Sequence, residues 1–129
     1  MAQDKPEGML TLKSNGDYRT TGQYYIMVVA AGDTCAISGD NAKTVHPIGI
    51  LQNKPNTNEF ATIATRGTSR VVLSANVTAG DVICPDTDGR GHVGHVDGHF
   101  GVGIALQSNT AGAGAIIEVL LSPGISHHQ

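Results

Sequence analysis

Short apolar runs alternate with turn-forming segments along almost the whole chain, and this pattern predicts an all-β fold. The apolar runs cover residues 23–31, 34–37, 47–52, 59–65, 69–74, 81–84, 100–107 and 115–121. The segments between them are rich in Gly, Asn, Asp and Pro, the residues that tight turns require. No twelve-residue stretch free of Gly and Pro has the 3.6-residue apolar period of a long helix. We therefore expect a small β-barrel or β-tulip-like domain of short strands.

The polar and apolar positions also divide the chain into three parts. Residues 1–22 are polar and rich in turn formers, and they contain one short alternating run, Met9 to Leu12. Such a segment is typical of an extended, flexible N-terminal arm. We therefore predict an arm over residues 1–22, a β domain over 23–122 and a C-terminal tail over 123–129.

Three short blocks recur in the same order in the two halves of the chain. The blocks are Ala31-Gly32-Asp33 with Ala79-Gly80-Asp81, Ile48-Gly49-Ile50 with Val102-Gly103-Ile104, and 60–64 with 115–119. The repetition predicts two related halves, each burying its apolar face against the other. The alternative is chance matching between Gly-rich β segments of biased composition. The glycine inside each Gly-Ile pair indicates a bulge or a close backbone approach within a strand.

Composition and charge narrow the classes of function. The chain has 129 residues, 40% of them hydrophobic and only 15% charged, with no Trp and a net charge of −3. This composition fits one domain with an aliphatic core. Scattered Lys and Arg residues argue against a nucleic-acid partner, which usually selects a clustered basic patch. The chain also lacks an apolar run of about 18 residues, so we expect no membrane partner, and its polar start predicts synthesis in a cytoplasm.

Two kinds of residue could carry chemistry, the cysteines and a group of histidines. Cys35 and Cys84 are too far apart for a CxxC motif and are expected to be small buried hydrophobes, a disulfide being the alternative. A His-rich segment places its candidate metal ligands at His92, His95, Asp97 and His99. Because the same segment is rich in Gly, we expect a solvated turn that binds no metal, while a structural or catalytic zinc site stays open. We find no nucleophile or phosphate-binding motif and predict a protein that is not an enzyme and has no cofactor.

An ordered series of segments resembles the phage capsid decoration, or cement, proteins. The segments are 47–55 (PIGILQNKP), 77–83 (VTAGDVI), 88–90 (DGR), 102–106 (VGIAL) and 117–121 (IEVLL). The resemblance implies a structural virion protein, similar in role to the lambda-type head decoration protein. Such a protein binds the outside of an icosahedral phage head and stabilises it by clamping neighbouring major capsid subunits. It also implies a homotrimer, made in the host cytoplasm and placed on the outer surface of the virion. The His-rich segment is not part of the family pattern.

Within that role we expect the N-terminal arm and the tyrosines to contact the capsid. An arm can add a strand to the capsid's own sheet, and tyrosines are favoured at protein interfaces. The predicted capsid-contact residues are Met9, Leu10, Thr11, Leu12, Tyr18, Tyr24 and Tyr25. Two other functions stay open: a metal-dependent enzyme that uses the His-rich hairpin, and a small β-barrel binding module of a phage tail or neck.

Overall fold

A computed structural model describes residues 6–38, 46–93 and 100–126, and it confirms the all-β prediction. The strands of this described part of the chain are β1 (Pro6–Ser14), β2 (Ile26–Ala30), β3 (Thr34–Ile37), β4 (Gly49–Leu51), β5 (Phe60–Val72), β6 (Val82–Pro85), β7 (Gly91–Val93), β8 (Phe100–Ala105) and β9 (Ile116–Ser126). Most of them follow apolar runs of the sequence, but the runs 59–65 and 69–74 join in the single strand β5, and β7 lies in none of the predicted runs. Within the described residues, no helix is long and apolar enough to cross a membrane.

The first five strands close a ring, which we call ring 1. Its strand order is β1, β3, β2, β4 and the N-terminal half of β5, which returns to pair with β1. All of these pairings are antiparallel except that between β1 and β3, which runs parallel through Lys13–Thr34 and Ser14–Cys35. Because β5 is 13 residues long, it extends well beyond ring 1.

The C-terminal half of β5 begins a second ring, which we call ring 2. From β5 the order continues through β9, β8, β6 and β7, with antiparallel pairing at each step. A parallel bridge between Leu73, directly after β5, and Gly91 of β7 returns the chain to the start of the ring. Ser74 strengthens this closure by donating its backbone N–H to the Gly91 carbonyl at 2.9 Å. One long strand therefore belongs to both rings.

The two rings repeat the same register, which establishes two related halves. Met27 lies opposite Gly49 in ring 1, and Ile83 lies opposite Gly103 in ring 2. Backbone hydrogen bonds outside the ladders repeat as well. In ring 1 the Tyr24 N–H donates to the Leu51 carbonyl, and in ring 2 the Gly80 N–H donates to the Ala105 carbonyl, both at 2.8 Å. Likewise, the Ser14 N–H donates to the Glu59 carbonyl and the Leu73 N–H to the Ala115 carbonyl, both at 2.8 Å. The repeating unit is thus a whole five-stranded ring.

This register corrects one of the three blocks matched in the sequence and shifts another. The structural equivalent of Gly80 is Tyr24, whereas the sequence match paired Gly80 with Gly32. Gly32 lies in the turn after β2, and Gly80 lies before β6. The match failed because Gly-Asp recurs in turns of different position. The block at 60–64 is equivalent to 116–120, one residue later than the match suggested.

The apolar side chains form two adjoining clusters. The smaller fills ring 1 and contains Met27, Cys35, Leu51, Ala61 and Ile63. The larger fills ring 2, with members such as Ile83 and Val119, and it also includes Ile26, Ile50 and Ala64 from ring 1. Since these three point away from the ring 1 interior, ring 2 packs against the outside of ring 1. The rings are therefore joined by a shared core as well as by β5.

The predicted N-terminal arm lies partly within this architecture. Pro6–Ser14 form β1, which pairs with β5 from Pro6 to Lys13. Two forces hold the strand there: the ladder hydrogen bonds to β5, and the packing of Leu12 against the ring 1 core. The predicted tail starts at residue 123, whereas β9 continues to Ser126. Segments at both predicted ends of the domain therefore take part in the sheet.

Candidate binding surfaces

Strand β1 presents a free edge together with exposed apolar side chains. One edge pairs with β5, and on the other edge β3 reaches only Lys13 and Ser14. Residues 6–12 therefore have no ladder partner on that second edge among the described strands. Met9 is 52% exposed, and Leu10 and Thr11 are exposed beside it. An unpaired strand edge of this kind can accept a strand from another protein.

Two of the predicted capsid-contact residues help to build ring 1. Leu12 and Tyr18 both pack against its core. The Tyr18 hydroxyl oxygen accepts a hydrogen bond from the Ile37 backbone N–H at 3.1 Å. A Cβ atom at Gly22 would lie 2.7 Å from the Tyr18 Cβ, so this glycine permits the close packing of the tyrosine. Capsid contact by Leu12 and Tyr18 stays a prediction, and their packing in ring 1 is what the structure shows.

Tyr24 and Tyr25 line an open cleft of about 330 Å³. The other residues that line it are Thr20, Thr21, Gly22, Gln23, Lys54, Val72 and Ile116. Tyr24 has a φ of 67°, which is rare for a bulky residue. Its backbone is held by the bond to Leu51 and by a bond from the Val72 N–H to its carbonyl at 3.0 Å. The equivalent position in ring 2 is Gly80, with a φ of 94°, so the repeated turn imposes this conformation.

Sequence analysis missed a further apolar surface, the outer face of ring 2. It runs across four neighbouring strands and consists of Val82 on β6, Ile104 on β8 with Leu106 after it, Ile116, Glu118 and Leu120 on β9, and Thr68, Arg70 and Val72 on β5. Leu106, Ile116 and Leu120 are each more than a third exposed. The signal was present in residues 115–121, AIIEVLL, because a strand that is apolar on both faces is typical of burial on both faces.

A buried carboxylate lies in the middle of this outer face. Glu118 is only 9% exposed, and its Oε2 atom has no hydrogen-bond partner among the described residues. Its backbone N–H donates to the Gln107 side-chain oxygen at 2.9 Å. Arg70, which is exposed, lies directly opposite Glu118 in the register. A buried carboxylate oxygen without a donor costs free energy, so the site favours a partner that supplies one.

The residues that the sequence singled out for possible chemistry are the two cysteines and the His-rich segment, of which the structure describes His92. Cys35 and Cys84 are both buried and free, so the disulfide alternative is wrong. Burial raises the pKa of the Cys35 thiol, and it raises that of Cys84 to about 11. His92 lies on β7 with its Nε2 atom 3.2 Å from the Pro85 carbonyl oxygen. His95, Asp97 and His99 lie outside the described residues, and within those residues no group of three His, Cys, Asp or Glu side chains could hold a metal.

The raised pKa values predict that neither thiol reacts readily in the folded protein. At neutral pH the thiolate fraction of Cys84 is about 100-fold below that of a thiol at the ordinary value of 9.0. Folding favours the neutral thiol, so this contribution to stability is complete below pH 9 and declines as pH rises from 9 towards 11. We expect a thiol reagent at pH 7.5 to label both cysteines only in denaturant, and the free energy of unfolding to fall above pH 9. Rapid labelling of the native protein would contradict the burial.

An exposed ion pair lies in the segment between β1 and β2 and lowers the pKa of its carboxylate. Asp17 and Arg19 interact through two side-chain hydrogen bonds of 2.9 Å. The Arg19 guanidinium and backbone N–H together lower the pKa of Asp17 to about 2. Asp17 therefore stays ionised over the whole working range of pH. Because the pair is exposed, we assign it a local role in shaping the turn and no large effect on stability.

The comparisons with known proteins place the fold. The chain matches no protein family model and no curated protein. Among solved structures, it is similar to the N base of the head fiber gp8.5 of bacteriophage phi29, with a TM-score of 0.66 and 14% sequence identity. The similarity covers 93% of this chain and 98% of that chain. This chain therefore shares its overall fold with that phage head fiber base.

Proposed function

We propose that this chain is a structural protein of a phage head that binds the outer surface of the capsid and has no catalytic role. The observation that carries the proposal is the fold shared with the head fiber base over almost the whole of both chains. Since the identity is only 14%, the shared fold supports the class of function, and the chain's own surfaces support its details. The sequence resemblance to capsid decoration proteins points to the same part of the virion.

The free edge of β1 is the surface that we assign to the capsid. The main-chain groups of residues 6–12 that point away from β5 have no ladder partner among the described strands, and the exposed Met9 and Leu10 side chains lie on the same segment. An extended strand that adds to an exposed sheet edge gains affinity from main-chain hydrogen bonds and specificity from alternate side chains. This mode fits the expectation that the N-terminal segment contacts the major capsid protein.

We also propose that the chain acts as a homotrimer that clamps neighbouring capsid subunits. A single short edge forms few contacts, but three linked copies convert later binding steps into intramolecular ones. Avidity of this kind suits a protein that must hold a large assembly without a deep pocket. The exposed tyrosine-lined cleft at Tyr24 and Tyr25 lies beside Ile116 on ring 2 and offers a second, smaller contact surface.

Binding to emptied phage heads tests the capsid proposal. We expect a Met9→Asp/Leu10→Asp protein to lose head binding by at least about tenfold, because two charges would enter an apolar strand contact. A Phe60→Asp protein is the matched control, since Phe60 is 62% exposed and lies outside residues 6–12. Co-sedimentation with heads measures the binding, and circular dichroism checks that both variants fold. Equal binding by the double variant and the control would refute the assignment of β1.

A further inference from the structure

Nothing in the described part of the chain covers the outer face of ring 2, although the equivalent face of ring 1 is covered. In ring 1 the row Ile26, Ile50 and Ala64 is fully buried because ring 2 packs on it. The register makes the equivalent row in ring 2 Val82, Ile104 and Leu120. Leu120 is 46% exposed, and the other two are partly exposed. The described chain thus contains one ring-on-ring contact and a second, similar face without its cover.

The turn between β6 and β7 shows how the first contact is made. The Gly89 carbonyl oxygen of this turn accepts a hydrogen bond from the Ile26 N–H at 2.8 Å. Gly89 also lies so close to Ile37 that a Cβ atom there would overlap its side chain. The turn of ring 2 is therefore seated on β2 and β3 of ring 1, beside the covered row.

The equivalent turn of ring 1 joins β2 to β3 and lies in the open. Asp33, with a φ of 61°, is the register equivalent of Gly89, with a φ of 85°. Ala31, Gly32 and Asp33 are exposed, and a Cβ atom at Gly32 would meet nothing within 4 Å. Val29, at the end of β2, is 59% exposed. The β2–β3 turn of ring 1, with Val29 beside it, is therefore equivalent to the β6–β7 turn that joins ring 2 to ring 1. Unlike that turn, it is exposed.

We propose that the outer face of ring 2 is an interface with a second copy of this chain, covered by that copy's β2–β3 turn with Val29. Within one copy, the β6–β7 turn of ring 2 lies against ring 1. Between copies, the equivalent β2–β3 turn of the second copy would lie against ring 2 in the same way. The inference deepens the homotrimer of the proposed function by naming the two surfaces that meet. The inference takes only the number of copies, three, from the proposed function.

The repeat also predicts where the turn of the second copy lies on the outer face. Asp33 is equivalent to Gly89, whose carbonyl accepts from the Ile26 N–H, and Ile26 is equivalent to Val82. The turn of the second copy would therefore lie beside Val82 on β6, over the uncovered row. A contact between two different surfaces forms a closed ring when the rotation closes, which suits a trimer.

Oligomer mass tests the interface from both sides. We expect the wild-type protein to sediment as a multiple of its 13.3 kDa chain, and Leu120→Asp and Val29→Asp each to shift it to a single chain or weaken its association at least about tenfold. Phe60→Asp changes an apolar side chain that is 62% exposed and lies outside both surfaces, and it should keep the wild-type mass. Analytical ultracentrifugation gives the mass, and circular dichroism shows which variants fold. Since Val29 lies at the end of a short strand beside a turn, its variant tests the proposal even where Leu120→Asp does not fold.

Charge reversal adds a test that a purely structural effect would not pass. Val82→Asp would place a like charge beside Asp33 of the second copy and should weaken association, and the protein that also carries Asp33→Lys should recover part of it. Failure of the double variant to recover, or unchanged mass in Leu120→Asp and Val29→Asp, would overturn the proposal, as would a wild-type monomer. Head binding by the wild-type protein is measured separately. A wild-type monomer that binds heads would therefore refute the proposed interface between copies and still support the head-binding role.

Discussion

Replacing Gly49 by Ala is expected to destabilise the protein by about 3 kcal/mol or more. Gly49 lies on β4, and a Cβ atom there would overlap the Ala64 backbone carbonyl oxygen on β5. Backbone groups in the middle of a sheet cannot move aside as a flexible side chain can. The same clash recurs in ring 2, where a Cβ atom at Gly103 would overlap the Leu120 carbonyl oxygen. We expect Gly103→Ala to be similarly damaging, and urea unfolding measures both.

Gly112→Ala provides the matched control for this prediction. Gly112 has a φ of 82°, but nothing lies within 4 Å of the added Cβ atom. The change should therefore cost only the about 1–2 kcal/mol of a left-handed backbone at a residue with a Cβ atom. Gly49 itself has a φ of 157°. Equal losses in Gly49→Ala and Gly112→Ala would show that backbone conformation matters at Gly49 and that close approach of the strands does not.

Truncating Leu51 to Ala is expected to cost about 2–5 kcal/mol, the second large effect. Leu51 is fully buried within ring 1, in a small cluster with Met27 and Ile63, and few neighbours can move to fill the cavity. Because the two rings share a core through Ile26, Ile50 and Ala64, we expect ring 2 to lose stability together with ring 1. Unfolding followed by circular dichroism and by cysteine labelling should then give one common transition.

The labelling readout separates the rings, since Cys35 lies in the ring 1 core and Cys84 lies on β6 of ring 2. Phe60→Ala is the control for Leu51→Ala, because loss of a side chain that is 62% exposed should cost less than about 0.5 kcal/mol. Labelling of Cys35 at a lower urea concentration than Cys84 would show that ring 1 opens alone. That outcome would contradict the single shared unit.

The strand positions were predictable because they depend on local pattern. Apolar runs bounded by Gly, Asn, Asp and Pro appear within strands wherever the structure describes them, although the break expected at residues 66–68 is wrong because β5 continues through it. The two Gly-Ile pairs do mark close backbone approaches. The existence of a repeat was also predictable, because similar short blocks recur in the same order in both halves of the sequence. Its full extent was not, because equivalent positions such as Tyr24 and Gly80 share a backbone conformation and no side-chain chemistry.

The sequence named single candidate contact residues, whose role stays a prediction, and did not name the surfaces that neighbouring strands form. The sequence singled out tyrosines because they are few and suited to interfaces, yet Tyr18 packs into the ring 1 core and bonds to Ile37. It overlooked the outer face of ring 2, whose members come from four strands. Such a surface depends on strand order, which local pattern does not encode.

The sequence by itself determined an all-β chain with an aliphatic core and two related halves. It did so because side-chain alternation and turn chemistry act over a few residues. Only the tertiary structure decided that β5 serves both rings, that β1 joins ring 1 and that one ring covers the outer face of the other. These outcomes depend on pairings between distant segments, where a one-residue slip of register would turn every side chain to the opposite face. The exposed outer face of ring 2 follows from that pairing, and it marks where another copy can add to the fold.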